Sequence, residues 1–133
     1  MIVLADTNIW IYSIDRQDPQ KRRRAAEVLA STQVIVSTQV MAEFFVVATR
    51  KLAIPLRPAE ARAFVANMAR LQVVALDAVL VSAAIDGSID WGISYWDALI
   101  IRAAEAAGCD RVLSEDLGHG RTYGSVTVED PFR

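Results

Sequence analysis

The chain has 133 residues, 53% of them hydrophobic and 23% charged, with a net charge of −2. That is the size of one ordinary domain spanning residues 1–133, with enough apolar material for its own core, which excludes a disordered chain and a disulfide-stapled miniprotein. The single cysteine, Cys109, allows no intrachain disulfide and reads as a small core residue.

The amino terminus, Met1-Ile2-Val3-Leu4-Ala5, lacks the basic start of a signal peptide. No apolar stretch approaches the ~20 residues that span a bilayer, so a cytoplasmic protein without a membrane partner is expected. Ile2 to Ala5 reads as a buried strand ending in the turn Asp6-Thr7-Asn8, before a helix. Pro19 to Ala30 reads as a helix with a basic exposed side, and Val34 to Val36 as a second strand. Ser37 or Thr38 caps a helix to about Lys51, and Pro58 opens another to about Arg70. Val73 to Leu76 is a third strand, with Asp77 a cap for the next helix. Ser94 caps a helix from Tyr95 to Ala107, stopped by Gly108. Arg111 to Ser114 is a fourth strand, and a loop with Gly118, Gly120 and Gly124 leads to a last strand at Val126 to Val128.

Short apolar strands alternating with helices imply an α/β fold, with a parallel sheet covered on both faces. Ligands in such sheets bind beyond the carboxyl ends of the strands. Asp6 follows one strand directly, and Asp116 follows another closely.

The acids are informative by position. Glu43 is the only charge between Val34 and Thr49, with Val40 and Val47 at helical spacing. Asp97 is the only charge between Trp91 and Ile101, and Asp6 ends an apolar run. Burying unpaired carboxylates is costly, so each is expected to have a partner. Asp6 is also placed to cap the helix near Asn8, and Asp97 lies three residues after Ser94 in a capping-box-like pattern. Both roles are compatible with a metal, because a helix N-terminus favours an ionised carboxylate. Carboxylates with no cysteine cluster and one histidine suit Mg2+ or Mn2+ rather than zinc. Such an ion can activate water and offset charge on a phosphodiester.

Thr7, Asn8 and Ser114 are candidates to hold the carboxylates by hydrogen bonds, or to serve as turn and cap residues. Lys21, Arg22, Arg23 and Arg24 sit near Arg16, and Arg50, Lys51, Arg57 and Arg62 form a second basic group. With four acids neutralised on metal the charge balance turns positive, so RNA remains an admissible partner. Lys21 to Arg24 is a possible phosphate contact or a solvated helix face. His119 is a loop or substrate-contact residue rather than a general base. Trp10, Trp91 and Trp96 read as core.

Leu4-Ala5-Asp6-Thr7-Asn8, Glu43 in an apolar helix, Tyr95-Trp96-Asp97-Ala98 and Leu113-Ser114-Glu115-Asp116 resemble, in order, the four acidic motifs of PIN-domain nucleases. In length the chain resembles the VapC toxins of toxin–antitoxin pairs. The resemblance implies a three-layer α/β/α fold with a central parallel sheet of four or five strands, a homodimer, and Mg2+- or Mn2+-dependent cleavage of RNA. It also implies a cognate antitoxin. Asp6, Glu43, Asp97 and Asp116 carry over as catalytic and metal-binding acids. Asp116 is chosen over Glu115 because it stands two residues after Ser114, as in the family's Ser/Thr-x-Asp pattern. The expected reaction is hydrolysis that leaves a 5′-phosphate and a 3′-hydroxyl; one histidine and no positioned lysine make a cyclic-phosphate route poor.

The exposed side of the Pro19 to Ala30 helix and the stretch Val40 to Val47 are expected to form an antitoxin groove, with an antitoxin Arg or Lys reaching the acids. Two rivals follow from the same residues. A non-catalytic PIN-like RNA-binding module would have lost acids, and none is missing. A phosphatase with Asp6 as nucleophile needs a second Asp two residues on, where Asn8 stands, and a receiver domain needs a lysine late in the chain, whereas none follows Lys51.

Overall fold

A computed structural model describes all 133 residues. In chain order the elements are β1 (Ile2–Ala5), α1 (Thr7–Tyr12), α2 (Pro19–Ser31), β2 (Gln33–Ser37), α3 (Thr38–Arg50) and α4 (Pro58–Met68). There follow β3 (Val73–Val74), α5 (Ala78–Trp91), α6 (Tyr95–Ala106), β4 (Arg111–Leu113), β5 (Thr122–Tyr123) and β6 (Val126–Glu129). All the helices but α4, which opens on Pro58 after Arg57, start where short polar side chains satisfy free backbone N–H groups. Asp18 accepts from Lys21, Ser37 from Val40, Asp77 from Leu80 and Ser94 from Asp97. Each such cap is worth about 1 kcal/mol.

The strands form one six-stranded sheet in the order β3-β2-β1-β4-β6-β5. All neighbours are parallel except β5 and β6. The five parallel strands meet the upper expected number; β5 is an addition to it. It pairs with β6 through the two-residue turn Gly124-Ser125, where Gly124 takes a left-handed φ of 59° that suits a tight hairpin. The third strand is also shorter than expected, ending at Val74 rather than Leu76.

Alternation along β1 builds the three layers. Leu4 faces a core with Ile35, Phe44, Leu99 and Val112, while Val3 and Ala5 face Ile9, Ala25, Val28 and Leu113. Helix α6 lies across β2, β4 and β6, and α2 packs against α1 and β2. Cys109 is a buried free thiol in the larger core, as expected. No helix is long and apolar enough to cross a membrane.

The chain leaves β1 toward β2 on one side, while β4 joins β1 on the other. The carboxyl ends of β1 and β4 therefore flank the point where strand order reverses, the usual ligand position in open α/β sheets. Register Ala5↔Leu113 puts Asp6 beside Ser114, and the Asp6 N–H donates to Leu113 O at 2.9 Å.

Candidate active site

A cleft of about 460 Å³ opens at this edge, and Asp6, Glu43, Asp97 and Asp116 all line it. Asp6 comes from the end of β1, Asp116 from the loop after β4, Glu43 from the middle of α3, and Asp97 from the first turn of α6. The four acids thus meet at one cleft because parallel strands deliver their ends to one edge and two helices start or pass there.

Asp6 is the best-held member. One carboxylate oxygen accepts from the Thr7 N–H at 2.7 Å, which caps α1, and the other accepts from Ser114 Oγ at 2.8 Å. The cap reading of Asp6 is thus realised, and the same carboxylate lines the cleft. Asn8 Nδ2 donates to Asp116 Oδ2 at 3.0 Å and to Ser114 Oγ at 3.3 Å. Ser114 Oγ also accepts from the Asp116 N–H at 3.1 Å. Asn8 and Ser114 therefore link the β1 and β4 acids through side chains. At Asp97 only half of the expected capping box forms: its N–H donates to Ser94 Oγ at 3.1 Å.

Burial pushes the Asp6 carboxyl up to about 6, against the hydrogen bonds from Ser114 and Thr7, with Glu43 and Asp116 adding like-charge repulsion. Glu43 is raised as well, by partial desolvation first and by Asp97 next, with Gln39 and Lys51 opposing. No Lys or Arg lines the cleft.

Burial of the acids differs from the expectation in one respect. Glu43 is exposed to the cleft, whereas its helical neighbour Val40 is fully buried. Three residues along a helix turn the side chain by about 60° from the original direction, enough to leave the core-facing stripe. Asp116 is likewise exposed, and only Asp6 and Asp97 are partly buried.

Glu115 also lines the cleft, yet in a different state. Lys21 Nζ lies 2.7 Å from it and Tyr12 Oη donates at 2.6 Å. Burial pushes this carboxyl up, but the two hydrogen bonds outweigh it and the result is a lowered value. Lys21 was a possible RNA contact, but this pairing gives it a structural partner. Arg24 donates to Pro131 O at 2.8 Å, while Arg22 and Arg23 are exposed. His119 Nδ1 accepts from the Asp130 N–H at 3.0 Å, which ties its loop to the end of β6, and His119 does not line the cleft.

Sequence reasoning missed Tyr12, Asp15, Gln39 and Trp96 in the cleft wall. Gln39 precedes Glu43 by one helical turn and Trp96 adjoins Asp97, so helical spacing was the available signal. Trp96 also departs from its core assignment: it is 62% exposed. Trp91 is partly buried against Tyr123, with Arg102 over its ring at 4.3 Å, and Trp10 packs on the core.

The donor set of the cleft is that of a divalent-cation site rich in oxygen. Thr7 Oγ1, Asn8 Oδ1 and Gln39 Oε1 are buried polar atoms of the cleft wall with no partner. Together with Asp6, Glu43, Asp97 and Asp116, none of which forms an ion pair, they suit a hydrated hard ion. No three acids converge into a ready-made cage. That arrangement fits Mg2+, which keeps several waters and takes only one or two carboxylates directly.

The profile described as PIN domain matches residues 3–124. The chain belongs to the PIN domain family. PIN-type relatives among solved structures share the fold at low identity. A toxin–antitoxin complex from Klebsiella pneumoniae aligns with a TM-score of 0.73 at 16% identity, covering 97% of both chains. VapC20 from Mycobacterium tuberculosis, described as a sarcin-ricin loop cleaving toxin, gives 0.70 at 21%, covering 86% of this chain and 91% of the other. DNA-bound VapBC from Salmonella typhimurium gives 0.68 at 20%, covering 98% of each. No curated protein sequence matches the chain.

Proposed function

We propose that this PIN-domain chain, read as one domain, is a Mg2+- or Mn2+-dependent endoribonuclease acting in the cytoplasm as the toxin of a toxin–antitoxin pair. The observation that carries it is the convergence of Asp6, Glu43, Asp97 and Asp116 on one cleft that contains no lysine or arginine. The family match and the toxins among its structural relatives support the same reading.

In this reading Asp6, Asp97 and Glu43 hold the ion, directly or through water, and Asp116 completes the site. When bound, the ion supplies a Lewis acid for the phosphodiester and lowers the pKa of water. Ser114 and the Thr7 N–H fix both oxygens of Asp6, so its carboxylate is oriented before the ion arrives. Asn8 holds Asp116 in the same way and leaves its own Oδ1 free toward the cleft wall.

An antitoxin has a surface to use. Trp10, Ile14, Leu29, Phe44, Phe64 and Met68 line an apolar pocket of about 350 Å³. Leu29 of α2 and Phe44 of α3 belong to the expected groove, and α1, the turn after it and α4 supply most of the rest. Exposed Val79, Ile85 and Ile89 on α5 offer apolar area to a second copy, in keeping with a homodimer.

The test uses purified protein free of antitoxin, labelled RNA, and EDTA, Mg2+ or Mn2+. Cleavage only with metal, leaving 5′-phosphate and 3′-hydroxyl ends, is expected. Equal cleavage in EDTA would refute metal dependence; intact RNA in all three would refute the nuclease reading.

A further inference from the structure

The acid cleft has to bind a polyanion, yet its wall carries five carboxylates besides Asp15 and no basic side chain. The nearest amine, Lys21, is committed to Glu115. Affinity for a nucleic acid at this point therefore does not come from ion pairing with a lysine or arginine of the cleft wall. Beyond what a bound ion offers a phosphate, an uncharged contact is left to hold the nucleic acid.

Trp96 is the side chain suited to that task. It is the second residue of α6, adjacent to Asp97, and lines the cleft with 62% of its surface exposed. Its backbone is fixed, because Gln39 Nε2 donates to Trp96 O at 3.3 Å. Tyr95 packs against the indole in a T-shaped pair with ring centroids 4.9 Å apart. The other aromatic residue of the cleft, Tyr12, is engaged by Phe132, Glu115 and Lys21. An exposed indole held at both backbone and ring costs little further entropy on stacking, and any base offers it a π-face.

We propose that Trp96 is a stacking platform for an unpaired nucleobase beside the scissile phosphate. The inference rests on the nuclease reading and adds the residue that holds a base of the substrate. A base inside a duplex is already stacked and paired, and reaching Trp96 would require it to leave the helix.

The test compares wild type, Trp96→Ala and Trp96→Phe, each checked for fold by far-UV circular dichroism. The substrate is a short labelled RNA, used single-stranded and annealed to its complement. Binding is measured in EDTA and cleavage in Mn2+. For the single strand, Trp96→Ala is expected to raise Kd and KM about tenfold, with kcat changed far less, and Trp96→Phe to keep most of the affinity. The duplex should be cut poorly and without regard to residue 96. If Trp96→Ala does not fold, Trp96→Leu takes its place, as apolar bulk without an aromatic face. Unchanged Kd and KM in the alanine or leucine variant overturns the proposal. So does a variant that loses self-association in sedimentation while its RNA affinity per protomer holds, which makes Trp96 a contact between copies. Wild type that binds RNA through Trp96 and never cuts it supports the platform and sinks the nuclease reading alone. Wild type that neither binds nor cuts sinks both.

Discussion

Asp6 and Glu115 line the same cleft and follow adjacent parallel strands, yet the fold treats them in opposite ways. Glu115 has its own cation in Lys21 and a phenol donor in Tyr12, and its carboxyl is held below the ordinary range. Asp6 has neutral donors only, and burial with acidic neighbours drives it up to about 6. An acid that already has a cation needs nothing from outside. An acid that is oriented, shielded and left without one is prepared for a cation to come. The division separates the acids proposed for metal from the acid that holds α2 to the loop after β4.

The largest expected effect comes from breaking the unpaired side. Asp6→Asn or Asp97→Asn should reduce metal-dependent cleavage by more than about a hundredfold, beyond what loss of an outer supporting group costs. Apo stability should hold or rise, since like-charge repulsion is relieved. Cleavage assays with saturating Mg2+ and thermal melts in EDTA give the two readouts together. Full activity in both variants removes these residues from the site; unfolding of both makes their role structural, for Asp6 as the cap of α1.

Next in size is the contrast between adjacent positions. Asp116→Asn should approach the loss seen for Asp6→Asn, while Glu115→Gln should keep activity within about tenfold and cost up to about 1 kcal/mol through the partly exposed Lys21 pair. The reverse ranking in the same assay would make Glu115 the fourth acid and dissolve the division between the two sides.

A smaller effect is the pH dependence of stability, and its sign differs between the two carboxyls. Asp6 has a folded pKa above its unfolded value of 3.8, so the native state binds the extra proton. Its contribution is therefore present at low pH and is lost as pH rises from about 4 through about 6, by up to about 3 kcal/mol. Glu115 has a lowered folded pKa, so its contribution is present above 4.5 and is lost as pH falls through the folded value. Melts from pH 3 to 8 in EDTA should show Asp6→Asn losing the first slope and Glu115→Gln the second. Saturating Mn2+ should raise Tm more at pH 7.5 than at pH 4.5. Parallel curves for wild type and Asp6→Asn would contradict the buried charge.

What was legible in the sequence was set by local pattern and strand order. Asp6 and Asp116 were readable because apolar runs end beside them and parallel sheets gather such ends. Ser114 was left open between holding a carboxylate and a turn or cap role, and its hydrogen bond to Asp6 is visible only in the structure. Glu43 was placed at the site for a reason that only partly holds: its apolar neighbours suggested burial, but a 60° turn of the helix face exposes it to the cleft. The Lys21–Glu115 pair joins residues 94 positions apart, and no periodicity carries that information. Trp96 was assigned to the core by residue type; its place in the first turn of a helix that starts at the cleft decides otherwise. The strand β5 has two residues, too few to show alternation, although the Gly124-Ser125 turn before Val126 was a usable hairpin signal.

The smallest expected effect divides the basic run itself. Lys21 faces Glu115, and Arg24 is held by Pro131 O with Glu27 nearby at 3.7 Å. Arg22 and Arg23 lie about 100° and 200° around the helix from Lys21 and are exposed. If they meet phosphate at the margin of a bound RNA, replacing both with alanine should weaken binding to all sequences alike. It should also reduce the slope of log K against log salt by at most about one unit per residue. Lys21→Ala should do the opposite: it should lower Tm by releasing Glu115 and leave the salt slope unchanged, since an amine spent on a carboxylate displaces no counterion from RNA. Titrations of RNA binding in EDTA across a salt series, run beside thermal melts, measure both quantities on the same three proteins. A slope that changes for Lys21→Ala and not for the arginine pair would place the lysine on RNA and remove the structural role given to its ion pair.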